Sequence, residues 1–223
     1  MDSNQIADGL IQYLMLVALL TFHEFAHAWT GWKCGDDTAR LQGRLSLNPI
    51  VHIDPVGTVL LPLLMIFLPT GVGRFIIGWA KPVPVNTARL RSPRNQSVIV
   101  SLTGPLTNFA LAAALGGIFV ATTPAVIRQF VYQVGVYPPT LGEQILFIGG
   151  IANIILGLFN LIPCPPLDGA ALLERLLPAR VLPEYYQLQP FLMFLPFLLI
   201  LIFHNQWAEL LGHVINWWSG LLA

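Results

Sequence analysis

Three stretches of this chain, Val98 to Thr122, Gln144 to Pro163 and Tyr185 to Ala208, contain no Asp, Glu, Lys or Arg. Each matches or exceeds the roughly 20 residues with which a helix crosses the hydrocarbon core of a bilayer. In that medium every backbone amide must be satisfied within the protein, which leaves helices or a closed barrel. The lengths of the runs favour helices. Only 10% of the 223 residues are charged and Lys+Arg balance Asp+Glu at 11 each, which excludes a disordered tail, a coiled coil and an electrostatic binder of nucleic acid. The chain therefore reads as an all-α, multi-spanning protein of the cell membrane, in contact with the lipid bilayer and with no nucleic-acid partner.

A further span is expected over residues 9 to 32, where Glu24 is the one formal charge. The N-terminus opens with Asp2 and Asp8 rather than a basic patch, so this stretch reads as a retained span and not a signal peptide. The other spans are expected at about 98 to 122, up to Pro163, and near 185 to 204. Residues 206 to 223, with Trp207, Trp217 and Trp218, read as an amphipathic tail on a membrane surface, leaving 1 to 205 as the membrane-embedded domain. Cys34 and Cys164 are too few for a disulfide scaffold.

The apolar run Val56 to Gly73 decides the topology. Eight of the eleven basic residues (Lys33, Arg40, Arg44, Arg74, Lys81, Arg89, Arg91 and Arg94) lie in the polar stretches on either side of it. Were the run to cross, they would be divided between the two faces of the membrane. A re-entrant hairpin keeps all eight on one face, where Arg175 and Arg180 join them after two more crossings. The positive-inside rule thus predicts about four transmembrane helices plus a re-entrant hairpin and short extended segments, with both termini outside.

Within the first span, His23-Glu24-Phe25-Ala26-His27 is an H-E-x-x-H. On a helix the i, i+4 spacing sets both imidazoles on one face, where they can share a tetrahedral zinc, with Glu24 beside it as base for a bound water. Three ionisable groups in one intramembrane turn would be costly without such a use. A catalytic zinc needs a third protein ligand, and His52, Asp54, Glu143, Asp168 and Glu174 are the candidates. Asp168 follows three prolines in Asn160-Leu-Ile-Pro-Cys-Pro-Pro-Leu-Asp-Gly169. It could equally be the N-cap of a helix over 169–177. The topology separates the two readings: HEFAH lies about two turns from the end of its span, roughly 10 Å below the inner surface. The hairpin delivers Asp168 to that same side.

Together these residues resemble the site-2 proteases, zinc metalloproteases that cut within membranes. HEFAH is similar to their zinc helix, Ser101-Leu-Thr-Gly-Pro-Leu-Thr-Asn108 to their G-P-L-x-N span, and Asn160 to Gly169 to their N-x-x-P-x-x-P-L-D-G motif. Gly35 to Pro49 and Gly78 to Asn86 resemble the compact bacterial and archaeal branch without PDZ or CBS domains. The resemblance implies one zinc per chain held by His23, His27 and Asp168, and Glu24 as base. It also implies that Asn108 and Asn160 hold the substrate backbone or the oxyanion. The expected activity is hydrolysis of peptide bonds in or near transmembrane segments, with a membrane-protein substrate that unwinds locally and an active site toward the cytosol. Lys81-Pro-Val-Pro-Val-Asn86 is expected to be extended and to pair with that substrate. Two rivals remain at this level. A metal transporter would spread its ligands over several spans, and a non-catalytic binder would have lost one of the four site residues.

Overall fold

The computed structural model describes residues 3–67, 76 and 78–223. All regular structure among them is helical: α1 (Ser3–Lys33), α2 (Thr38–Leu41), α3 (Leu61–Phe67), α4 (Pro93–Thr122), α5 (Ala125–Val134), α6 (Leu141–Asn160), α7 (Ala170–Leu176), α8 (Leu182–Leu192), α9 (Leu195–Ile202) and α10 (His204–Leu222). Among the described residues three helices are long and apolar enough to cross a membrane, namely Asp8–Lys33 within α1, α4 and α6. Two compact units divide the chain, Met1–Thr107 and Asn108–Ala223.

In the first unit α1 runs without a proline into a turn at Cys34 and Gly35, and the buried Asp36 gathers the chain that follows. Its carboxylate accepts from Thr38 N at 3.0 Å and from Asn86 N at 2.6 Å, so one side chain ties together two loops fifty residues apart. Further on, Asp54 accepts from the amides of Val56 and Gly57 and starts a π-helical turn, Pro55–Leu60, which leads into α3. The expected hairpin over Val56 to Gly73 is thus helical as far as Phe67, and its remainder lies outside the described residues. Beyond it the chain is back beside its starting point. Trp79 N donates to Gly57 O at 3.2 Å, Thr58 Oγ1 donates to Trp79 O at 2.7 Å, and Lys81 N donates to His52 O at 2.9 Å.

In the second unit α6 opens on a capping box, Thr140 with Glu143, and runs through a glycine-containing apolar sequence to Asn160. The span expected near 185 to 204 is divided into two short helices, α8 and α9. Pro196 supplies the reason: it has no N–H to continue the helical ladder back to Leu192. The Leu192 carbonyl accepts from Cys164 Sγ at 3.5 Å.

The stretch expected to be a surface tail forms α10, which runs antiparallel along α6. Trp207 sits beside Phe159, with ring centroids 6.3 Å apart, while Trp218 Nε1 donates to Phe147 O at 3.3 Å. A β-carbon at Gly150 would stand 2.2 Å from the Trp218 ring, so the missing side chain is what lets the indole settle on α6. Trp218 is 3% exposed. Its replacement by Ala should cost about 3–5 kcal/mol, the usual range for emptying a buried aromatic site. Thermal unfolding of the detergent-solubilised variant beside the parent measures that loss.

Candidate metal centre

The H-E-x-x-H lies in the C-terminal half of α1, with His23, Glu24 and His27 at 4%, 9% and 7% exposure. Four residues of helix bring the two imidazoles edge to face, and their Nε2 atoms approach to 3.0 Å. Two nitrogens bound 2.0–2.1 Å from one tetrahedral zinc stand about 3.3 Å apart, so the pair fits a shared metal with little movement. His27 Nδ1 lies 2.8 Å from the Val100 carbonyl. A carbonyl can only accept, so Nδ1 carries the proton and Nε2 keeps its lone pair for a metal, the usual division of labour in a ligating histidine.

Helix α4 comes close enough to touch these rings. A β-carbon at Gly104 would lie 2.3 Å from His27 Nε2 and 2.6 Å from His23 Cε1. The glycine of the Gly104-Pro-Leu sequence is therefore a steric requirement of the histidine pair, which the sequence reading did not foresee.

Glu24 is held by a backbone amide, Val83 N–H donating to Oε2 at 2.9 Å. Val83 belongs to the extended segment 81–86, whose prolines exclude a helix. Lys81 N, Val83 N and Asn86 N all donate within the first unit, so the segment expected to pair with substrate already spends most of its amide hydrogens internally. Arg44 grips the same segment from its carbonyl side. Its Nη2 donates to Lys81 O and, at 3.2 Å, to Pro82 O. Burial pushes the Arg44 guanidinium below its usual pKa, and the negative charge of Glu24 opposes that shift.

The remaining candidates divide clearly. His52 Nε2 bonds to Ser46 O at 2.8 Å, Asp54 caps the turn after it, Glu143 completes the capping box of α6, and Glu174 accepts from Tyr186 Oη at 3.5 Å. Each of these four has a local structural role. Asp168, half-buried in the second unit, precedes α7 and stands one residue before its N-cap, which is Gly169. The turn before it closes through Gly169 N donating to Asn160 O at 2.7 Å, while Asn160 Nδ2 donates back to Leu156 O at 2.9 Å. Asn108, fully buried, donates from Nδ2 to Asn153 Oδ1 at 3.0 Å, and Asn153 Nδ2 donates to Gly149 O. Asn153 escaped the sequence reading, although an amide side chain in the middle of an apolar span was its signal.

Residues 139–203 match the model of peptidase family M50. YwhC of Bacillus subtilis (strain 168), which bears the name of a zinc metalloprotease, is 39% identical over 175 residues, covering 78% of this chain and 73% of that protein. The chain belongs to peptidase family M50. Two mycobacterial relatives, both called Rip2 and both named as zinc metalloproteases, are similar as well. The Mycolicibacterium smegmatis protein is 36% identical over 160 residues and the Mycobacterium tuberculosis H37Rv protein 35% over 155, and this chain spans 52% of each and both alignments cover 70% of this chain. No solved structure matches. As an M50 member the protein is a zinc metalloprotease, a hydrolase acting on peptide bonds, and its long apolar helices make it a membrane protein.

Proposed function

We propose that this M50 enzyme cleaves peptide bonds in or near the transmembrane segments of membrane-protein substrates, at a zinc held by His23, His27 and Asp168 with Glu24 as base. The observation that carries the reading is the buried histidine pair inside an apolar span, its Nε2 atoms 3.0 Å apart and one tautomer set by Val100 O. Two imidazoles and a carboxylate are a catalytic donor set that leaves a position open for water. Zinc supplies there a Lewis acid and a water acidic enough to attack at neutral pH. Glu24 would serve as the base that accepts a proton from the attacking water and passes it to the leaving amine. Asn108 and Asn160 contact the substrate backbone or the oxyanion, each sharing the amide it now uses within the protein.

The active site faces the cytosol of a cell-membrane protein. Hydrogen bonds between 57–58 and 79 return the chain beside its starting point, as a re-entrant segment requires, and the flanking basic residues then share one face. A fourth crossing is completed beyond α7, through the broken path of α8 to α10. Because HEFAH lies below the surface, a substrate helix must give up its own hydrogen bonds before a carbonyl can reach the site.

Zinc analysis of the detergent-purified protein tests the ligand set. About one zinc per chain is expected, sharply reduced in His23→Ala and in Asp168→Ala. Full zinc content in Asp168→Ala would hand the third position to another residue. A folded parent protein that takes up no zinc would remove the catalytic reading altogether.

A further inference from the structure

The peptide group joining Pro82 to Val83 is held at both ends. Its carbonyl oxygen accepts from Arg44 Nη2 at 3.2 Å, and its N–H donates to Glu24 Oε2 at 2.9 Å. The group is trans, so the oxygen and the hydrogen point in opposite directions from one rigid plane. Whatever fixes the oxygen thereby aims the hydrogen. Arg44 takes the neighbouring Lys81 carbonyl with the same nitrogen, which fixes the plane before Val83 as well.

Arg44 is a costly residue for this position. It is 6% exposed, and its Nε has no hydrogen-bond partner among the described residues. A buried donor left unmade weighs against the fold, and a plain linker has no need of one. The two flanking prolines add to the device, because their rings hold the backbone extended and carry no N–H that could compete with Val83 for Glu24.

We propose that Arg44 is a positioning residue for the hydrolysis: by gripping the Lys81 and Pro82 carbonyls it holds the Val83 N–H on Glu24 and fixes the direction in which the carboxylate meets its water. The inference rests on the reading of Glu24 as base. A carboxylate with one oxygen pinned by a fixed donor presents the other in a single orientation, which is what proton transfer in a preorganised site requires.

The test pairs an exchange measurement with kinetics on the full-length, zinc-loaded protein in detergent. Hydrogen–deuterium exchange at the Val83 amide, flanked by two residues that have no amide of their own, should quicken at least tenfold in Arg44→Ala and in Glu24→Ala. On a membrane-protein substrate, Arg44→Ala and Val83→Pro should each lower kcat by about 10- to 100-fold with zinc retained. Val83→Ala, which keeps the N–H, should lose at least tenfold less than Val83→Pro, and Arg44→Lys should recover part of the loss of Arg44→Ala. The double variant Arg44→Ala/Val83→Pro should fall no lower than the weaker single one, because both break the same link. Unchanged exchange at Val83 in Arg44→Ala, or multiplied losses in the double variant, overturns the inference. A fully active Glu24→Gln enzyme would instead overturn the base assignment on which it stands, whereas an inert Glu24→Gln beside a fully active Val83→Pro would sink this inference alone.

Discussion

Replacing Glu24 with Gln should leave about one zinc per chain and lower peptide hydrolysis by about 10²- to 10⁴-fold, the usual contribution of a positioned general base. The amide has the size of the carboxylate and keeps an oxygen to accept the Val83 N–H now bound at 2.9 Å, so the extended segment has no reason to move. What the variant loses is the ability to take a proton from water. Metal analysis and a cleavage assay on the same preparation separate the two effects. Retained zinc with retained activity would place the base elsewhere, and lost zinc would mean that Glu24 supports the site structurally.

Gly104→Ala should have an effect as large, without replacing any proposed ligand. Alanine is the better helix former by about 1 kcal/mol, so propensity alone makes the exchange favourable. At this position, however, the new methyl would lie 2.3 Å from His27 Nε2 and 2.6 Å from His23 Cε1. Nor can the rings yield freely, because His27 is tied through Nδ1 to Val100 O on the same helix as the intruding carbon. Zinc affinity is expected to drop by up to about 100-fold, the upper end of what disturbing the support of metal ligands usually costs. Competition with a chelator of known affinity measures the change. An unaltered affinity would show that α4 can draw back from the histidines.

The parts of this protein that were legible in its sequence are those governed by local spacing. The i, i+4 relation of His23 and His27 needs only a helix, and the spans that became α1, α4 and α6 needed only uninterrupted apolar length. Gly104 was visible as a motif member but not as a steric necessity, since nothing in the sequence says which rings will lie against it. The partner of Glu24 was illegible for a deeper reason. It is a main-chain amide, and an amide leaves no trace in the identity of the residue that carries it. Residues 206–223 have modest hydropathy, with polar groups such as Glu209 and His213 marking an amphipathic helix, while the packing of Trp218 on Gly150 that holds α10 along α6 depends on a contact across 68 residues. In the stretch before it, Pro196 is visible in the sequence, but a single proline inside so long an apolar run does not by itself say whether the helix bends or divides.

The composition of the 81–86 segment also bears on how the enzyme could hold a chain. Pro82 and Pro84 offer no amide hydrogen, and those of Lys81, Val83 and Asn86 are already spoken for. A guest strand laid beside it would find an incomplete row of donors and could not zip down its whole length. A chain laid against this segment would therefore be held by side chains more than by a continuous backbone ladder.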